Sequence, residues 1–329
     1  MTIMPKSLGS KVDDIVFTPK NIAKDMVDLL PDDIFTPEAR FIDIACRTGI
    51  FLVAIKNKLM ASQALIDKFN NTIDREKHIL DNQIYAITPD EFSLALTQRN
   101  LYGNLKIQGN KLDSTSNIRY KENYIENFIR NDRINYKQTI ENMFKTKEVK
   151  EGADTEMKFD VVIGNPPYNR GMDLDFVNMG FDLCTKYCVM ITPAKWQTAA
   201  GDQRVASTTI NYGQFREQLV PHMSKVVFYP MSSDVFDIKA NSGITYFILG
   251  KEKHELCEVI NKWSCFTEYY NTTEVRGILN GETLCNIGKN IANHINTRGQ
   301  FTYIREKRSD KKYCVWGYVS NTCISRFQT

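Results

Sequence analysis

The stretch "VVIGNPPYN" at 161–169 runs from apolar residues through a glycine into Asn165, the paired prolines Pro166 and Pro167, and Tyr168. A proline has no backbone N–H and pushes the residue before it toward extended geometry, so Asn165 and Pro166 leave the strand in a stiff loop. Asn165 brings a side-chain carbonyl and Pro166 a backbone carbonyl, both hydrogen-bond acceptors. Two rigidly held acceptors suit the N–H groups of an exocyclic amine, and Tyr168 adds a face on which a planar base can stack. The bland alternative is a proline-rich turn with no chemistry. Its place at the end of an apolar strand counts against that.

The flanking pattern says what must position this loop. "ARFIDIA" (39–45), "NQIYAI" (82–87), "KFDVVIGN" (158–165), "KYCVMITP" (186–193) and "GITYFILG" (243–250) read as strands. A helix is expected over 49–65 and another through "DEFSLALTQRNL". Strands alternating with helices imply a doubly wound, mostly parallel α/β sheet. Ligands of such sheets bind outside the carboxyl ends of the strands. The segments to search are therefore Asp43–Gly49, Thr88–Asp90, Asn110–Asp113 and Asn165–Tyr168. Residues 113–157 are a polar helical stretch rich in Asn, Lys and Tyr and are expected to be a surface insertion. After residue 251 the alternation fades, which sets the expected domain boundary.

The chain of 329 residues is 42% hydrophobic with net charge +3. Its eight cysteines contain no C-x-x-C pair, which argues against a zinc site and for reduced thiols in a cytosol. No metal site is expected. The start, "MTIMPKSLGS", lacks an apolar signal core, and no run reaches membrane-span length, so a cytoplasmic protein without membrane contact is expected. Residues 251–329 hold twelve Lys/Arg against eight Asp/Glu, a bias that fits nucleic acid only if something else points there.

"NPPY" resembles motif IV of the amino-methyltransferases. Residues 12–250 are similar to the adenine-specific DNA methyltransferases of bacterial restriction–modification systems, in the order cofactor motifs, catalytic motif, target-recognition domain. "VFTPKNIAKDMVDLL" (16–30) resembles their motif X, with Thr18 a plausible N-cap, Pro19 at the first helical position, and Ile22, Met26 and Leu29 on one face. "DIACRTGIF" (43–51) is similar to motif I, where a carboxylate stands at a helix N-terminus and Gly49 allows close backbone approach. Residues 215–251 resemble the closing strands of the catalytic domain.

The resemblance implies a Rossmann-like methyltransferase fold with S-adenosyl-L-methionine as cofactor, bound by Phe17, Thr18, Pro19, Asp43, Ala45, Thr48, Gly49, Thr88, Asp90, Asn110 and Asn165. It makes Asn165, Pro166, Pro167 and Tyr168 catalytic and puts Tyr168 and Phe236 against an extruded adenine, because the target atom is out of reach inside a duplex. It implies double-stranded DNA as partner, alongside a cognate restriction endonuclease or a further recognition domain. Residues 1–251 would be the catalytic domain and 252–329 a partial or reduced target-recognition domain.

Three positions depart from the family pattern. Arg47 replaces a glycine, Thr88 replaces the acid that binds ribose hydroxyls (with Asp90 two residues on), and Asn110 replaces an aspartate. A protein-glutamine methyltransferase and a non-catalytic DNA-binding relative are the competing readings. A dinucleotide-dependent dehydrogenase is excluded, since no G-x-G-x-x-G follows any expected strand.

Overall fold

The computed structural model describes residues 17–103, 117–121, 136–144, 157–168, 171–198, 210–229, 232–236, 243–254, 256–262, 266–271, 301–308 and 311–318. Its helices are α1 (Lys20–Val27), α2 (Ile50–Ala61), α3 (Gln63–Lys68), α4 (Thr72–Asn82), α5 (Glu91–Tyr102), α6 (Tyr136–Phe144), α7 (Met172–Leu183), α8 (Lys195–Thr198) and α9 (Tyr212–Leu219). The strands are β1 (Phe41–Asp43), β2 (Ile84–Thr88), β3 (Ile118–Tyr120), β4 (Phe159–Gly164), β5 (Cys184–Pro193), β6 (Met223–Tyr229), β7 (Ile244–Gly250), β8 (Leu256–Asn261), β9 (Phe266–Asn271), β10 (Phe301–Arg308) and β11 (Lys311–Tyr318).

Nine strands form one sheet in the order β3-β2-β1-β4-β5-β7-β6-β8-β9. The first five in that order are parallel to their neighbours. β7 is antiparallel to both β5 and β6, β8 is parallel to β6, and β9 is antiparallel to β8. β10 and β11 pair with each other as a separate antiparallel ribbon. This is the mostly parallel α/β sheet that the alternating pattern implies.

The central strands are apolar on both faces because helices cover both. Phe41, Val161, Ile163 and Val189 pack in one layer with Ile22, Met26, Leu52 and Ile55. Ile42, Val162, Cys188 and Met190 pack in the other with Phe176, Val177 and Trp196. Adjacent residues of one strand thus enter opposite layers, and the strand reads as a continuous apolar run.

Several boundaries differ from the sequence expectation. The helix expected over 49–65 is two helices, because Ser62 is extended (φ −68°, ψ 130°) and its hydroxyl donates to the Phe35 carbonyl at 2.6 Å. The described parts of 113–157 contribute to the sheet and to the core. β3 pairs with β2 at the sheet edge, and α6 buries Ile140 and Phe144. Phe144 meets Tyr85 and Phe159 edge-on at centroid distances of 5.4 and 5.7 Å. The boundary expected after residue 251 falls inside one sheet, since β8 and β9 extend it beyond β6. Asn110 and residues 237–242 lie outside the described residues.

Where α7 crosses the sheet, Gly180 lets the helix lie close. A methyl group there would stand 2.7 Å from Met190 Cε, 3.0 Å from Cys188 Sγ and 3.1 Å from Val162 Cγ1. Alanine is the better helix former by about 1 kcal/mol, whereas overpacking costs about 1–3 kcal/mol. Gly180→Ala should therefore lower the urea midpoint of unfolding; a raised midpoint would refute the close packing.

Candidate active site

β1 and β4 run side by side with Phe41 opposite Val161 and Ile42 opposite Val162. The register brings the end of β1, Asp43, next to the end of β4, Gly164 and Asn165. Asp43 is buried, and one carboxylate oxygen accepts the Ala45 N–H at 3.0 Å. A side chain at Gly164 would place its Cβ 3.0 Å from that same oxygen, so the glycine of "VVIGN" makes room for the carboxylate. Burial pushes the Asp43 carboxyl up to about 7, against the Ala45 N–H and the Cys46 thiol, which hold it down.

The turn after β1 ends in Gly49, the N-cap of α2, at φ 70° in the left-handed region. A Cβ there would also lie 2.9 Å from Thr97 Cγ2, so both backbone and packing require glycine. Thr97, on α5, sits 3.4 Å from Cys46 Sγ and donates to the Arg47 carbonyl at 3.4 Å, which fixes the turn from behind.

An open cleft lies in front of this turn, lined by Phe17, Thr18, Asp43, Ala45, Arg47, Thr48, Gly49, Ile50, Phe51 and Asn165, with about 280 Å³ of empty space. Seven residues named from the sequence thus meet: Phe17, Thr18, Asp43, Ala45, Thr48, Gly49 and Asn165. Ile50 and Phe51 join them as the first turn of α2. Thr18 is not the cap of α1. That position is Pro19, with no side-chain bond, and the Thr18 hydroxyl instead accepts from Asn165 Nδ2 at 3.1 Å.

Thr88 and Asp90 are not among the residues lining the cleft. Thr88 is buried and its hydroxyl donates to the Arg119 carbonyl at 3.2 Å, joining β2 to β3. Asp90 caps α5, taking the Ser93 N–H at 2.6 Å and the Ser93 hydroxyl at 3.0 Å. It also pairs with Arg47, whose Nη1 donates to it at 2.8 Å. Desolvation lowers the pKa of the guanidinium and Asp90 opposes it, so Arg47 stays a cation.

Past Asn165, Pro166 is buried and Tyr168 half-buried, with its hydroxyl out of water. Burial raises the Tyr168 pKa, helped by the Asp173 charge and opposed by the neighbouring Asn165 amide. Asp173, at the start of α7, is itself buried and pushed up to about 7 by desolvation. The Tyr168 ring meets Phe236 at a centroid distance of 6.5 Å and a tilt of 57°. A base held between two faces needs parallel rings about 7 Å apart, twice a carbon contact. At 6.5 Å and a 57° tilt these two rings do not form a parallel slot of that width.

Among the described residues no three His, Cys, Asp or Glu side chains gather as a metal site, and no helix is long and apolar enough to cross a membrane.

Residues 82–175, from the end of α4 into α7, match the family model of the Eco57I restriction-modification methylase. An uncharacterized adenine-specific methylase of Mycoplasma pneumoniae is 25% identical over 254 residues, covering 59% of this chain and 58% of the relative. The chain thus spans a little over half the length of that curated relative. The crystal structure of the M protein of the type I restriction enzyme EcoKI superposes with a TM-score of 0.51 at 14% identity, over 74% of this chain and 48% of that one. A nuclease-deletion mutant of the type ISP restriction-modification enzyme LlaGI, solved with a DNA substrate mimic, gives 0.50 at 11% identity, over 82% and 29%. The chain carries a Rossmann-like α/β fold shared with these restriction–modification proteins, and its segment from β2 to the start of α7 is similar to the Eco57I restriction-modification methylase.

Proposed function

We propose that this chain methylates the exocyclic amino group of adenine in DNA, with S-adenosyl-L-methionine as donor, as the modification component of a restriction–modification system. One observation carries the reading: the Asn165-Pro166-Pro167-Tyr168 loop leaves β4 on the wall of the cleft that Asp43 closes, and Asn165 belongs to both. The matched methylase segment and the adenine-specific name of the Mycoplasma relative support it.

The cleft suits the donor chemically. Asp43 offers a carboxylate to an ammonium, Thr18, Thr48 and Asn165 offer hydroxyl and amide partners, and Phe17 and Phe51 add aromatic surface. When bound, the donor supplies a methyl group on a sulfonium, and displacement breaks the S–C bond as the N–C bond to the amine forms. Donation from Asn165 Nδ2 to Thr18 sets the amide, leaving its oxygen as the acceptor. That oxygen and the Pro166 carbonyl would take the two amino hydrogens of adenine and draw the nitrogen toward tetrahedral geometry. Its lone pair is then free to attack, and a proton leaves the methylated amine to water. Tyr168 would stack on the extruded base.

Asn165→Ala should cut the rate of single-turnover methylation of adenine-containing duplexes by about two to three orders of magnitude. Binding of the donor should change little, and wild-type turnover would remove Asn165 from the reaction. Tyr168→Ala should weaken capture of the base by about 1–3 kcal/mol, with Phe or Trp retaining most activity; Phe as damaging as Ala would exclude stacking.

Asp43 also makes donor binding depend on pH. With its carboxyl raised to about 7, Asp43 is largely protonated below that pH and must lose the proton to hold an ammonium. Affinity for S-adenosylhomocysteine should fall up to about tenfold per pH unit below 7 and level off above it. Asp43→Asn should bind weakly at every pH without that slope, as calorimetry can show.

A further inference from the structure

The cleft holds a fixed cation that the mechanism above does not use. Arg47 lies four residues after Asp43 on the same turn and lines the same cleft. We propose that Arg47 is a carboxylate-recognising residue, so that Asp43 and Arg47 together select a ligand ending in a zwitterionic α-amino acid group. The inference rests on the methyl-donor reading and names which end of the donor the cleft distinguishes.

A long side chain in place of a glycine could close the cleft or swing out to water. Neither arrangement is present. The Arg47 side chain is only 29% exposed and is tied by its ion pair to Asp90. Asp90 lies outside the cleft lining and is itself fixed as the cap of α5, so the guanidinium is anchored to a residue that is held in place. The Arg47 carbonyl is held by Thr97 as well.

A guanidinium has five N–H donors in a planar fork. Among the described residues one of them, on Nη1, has a hydrogen-bond partner, at Asp90. The donors left over belong to a group that is preorganised, partly desolvated and charged, the conditions under which a carboxylate is bound well. Opposite charges on one turn, Asp43 for an ammonium and Arg47 for a carboxylate, match the two ends of an α-amino acid. The Asp90 pair offsets part of the cost of keeping a cation there without ligand.

Titration calorimetry with S-adenosylhomocysteine and with its decarboxylated analogue tests this, on wild type and on Arg47→Ala, Arg47→Gln and Arg47→Lys. Wild type should prefer the carboxylated ligand by roughly ten- to hundredfold. Ala and Gln should lose most of that preference, with affinity falling for the carboxylated ligand and holding for the other. Lys should keep part of it, as a point charge without the fork. Gln retains the length of the side chain, so a defect in Ala alone would be one of packing and would overturn the proposal. Equal preference in wild type and variants, or tighter binding of the carboxylated ligand by Ala, would also overturn it while leaving the donor reading in place. Binding of neither ligand by any form would sink both.

Discussion

Asp43 lies buried where β1 ends, and its carboxylate fits there because β4 ends beside it in a glycine. The site depends on that juxtaposition. The register of two parallel strands sets it. Once Phe41 stands opposite Val161, the turn that follows β1 and the proline loop that follows β4 emerge at one edge. The carboxylate costs stability wherever it is ionised in so dry a place, and only the Ala45 N–H and the Cys46 thiol relieve it. A group kept at such a cost in a cleft is characteristic of sites that bind a counter-charge.

The two halves of the cleft are joined across a long stretch of chain. Thr18 and Asn165 are 147 residues apart and share a hydrogen bond, so the segment before α1 and the loop after β4 orient one another. This explains why Thr18, a residue well suited to capping, leaves that position to Pro19. Its hydroxyl is worth more as an acceptor for a half-buried amide than as a partner for a solvent-facing N–H.

Much of this was legible in the residues. The strand runs over 39–45, 82–87, 158–165, 186–193 and 243–250 all correspond to strands of the sheet, because apolar segments with turn signals leave few alternatives. The proline loop and the Asp43–Gly49 turn were legible as strand-end segments with distinct chemistry. What escaped depends on partners distant in sequence. No local pattern reveals that Ser62 breaks a helix by bonding to Phe35, or that Asp90 is spoken for by Arg47, 43 residues away. α4 was missed because its buried face includes an arginine: the Arg75 guanidinium donates to the Met60 and Phe69 carbonyls, a use of charge that hydropathy scores as surface. α6 reads as polar because Ile140 and Phe144 are its only deeply buried side chains among those described.

The order of strands bears on how the chain comes together during synthesis. β5 pairs with β7, not with β6, and β6 reaches the sheet through β7. Residues 184–193 therefore have their β4 partner made before them, whereas the strand that covers their other side ends only at Gly250. For that interval the nascent chain presents the edge of an apolar strand, the kind of surface on which chains pair wrongly with one another. The antiparallel insertion of β7 thus protects the middle of a sheet that β8 and β9, later still in the chain, go on to extend.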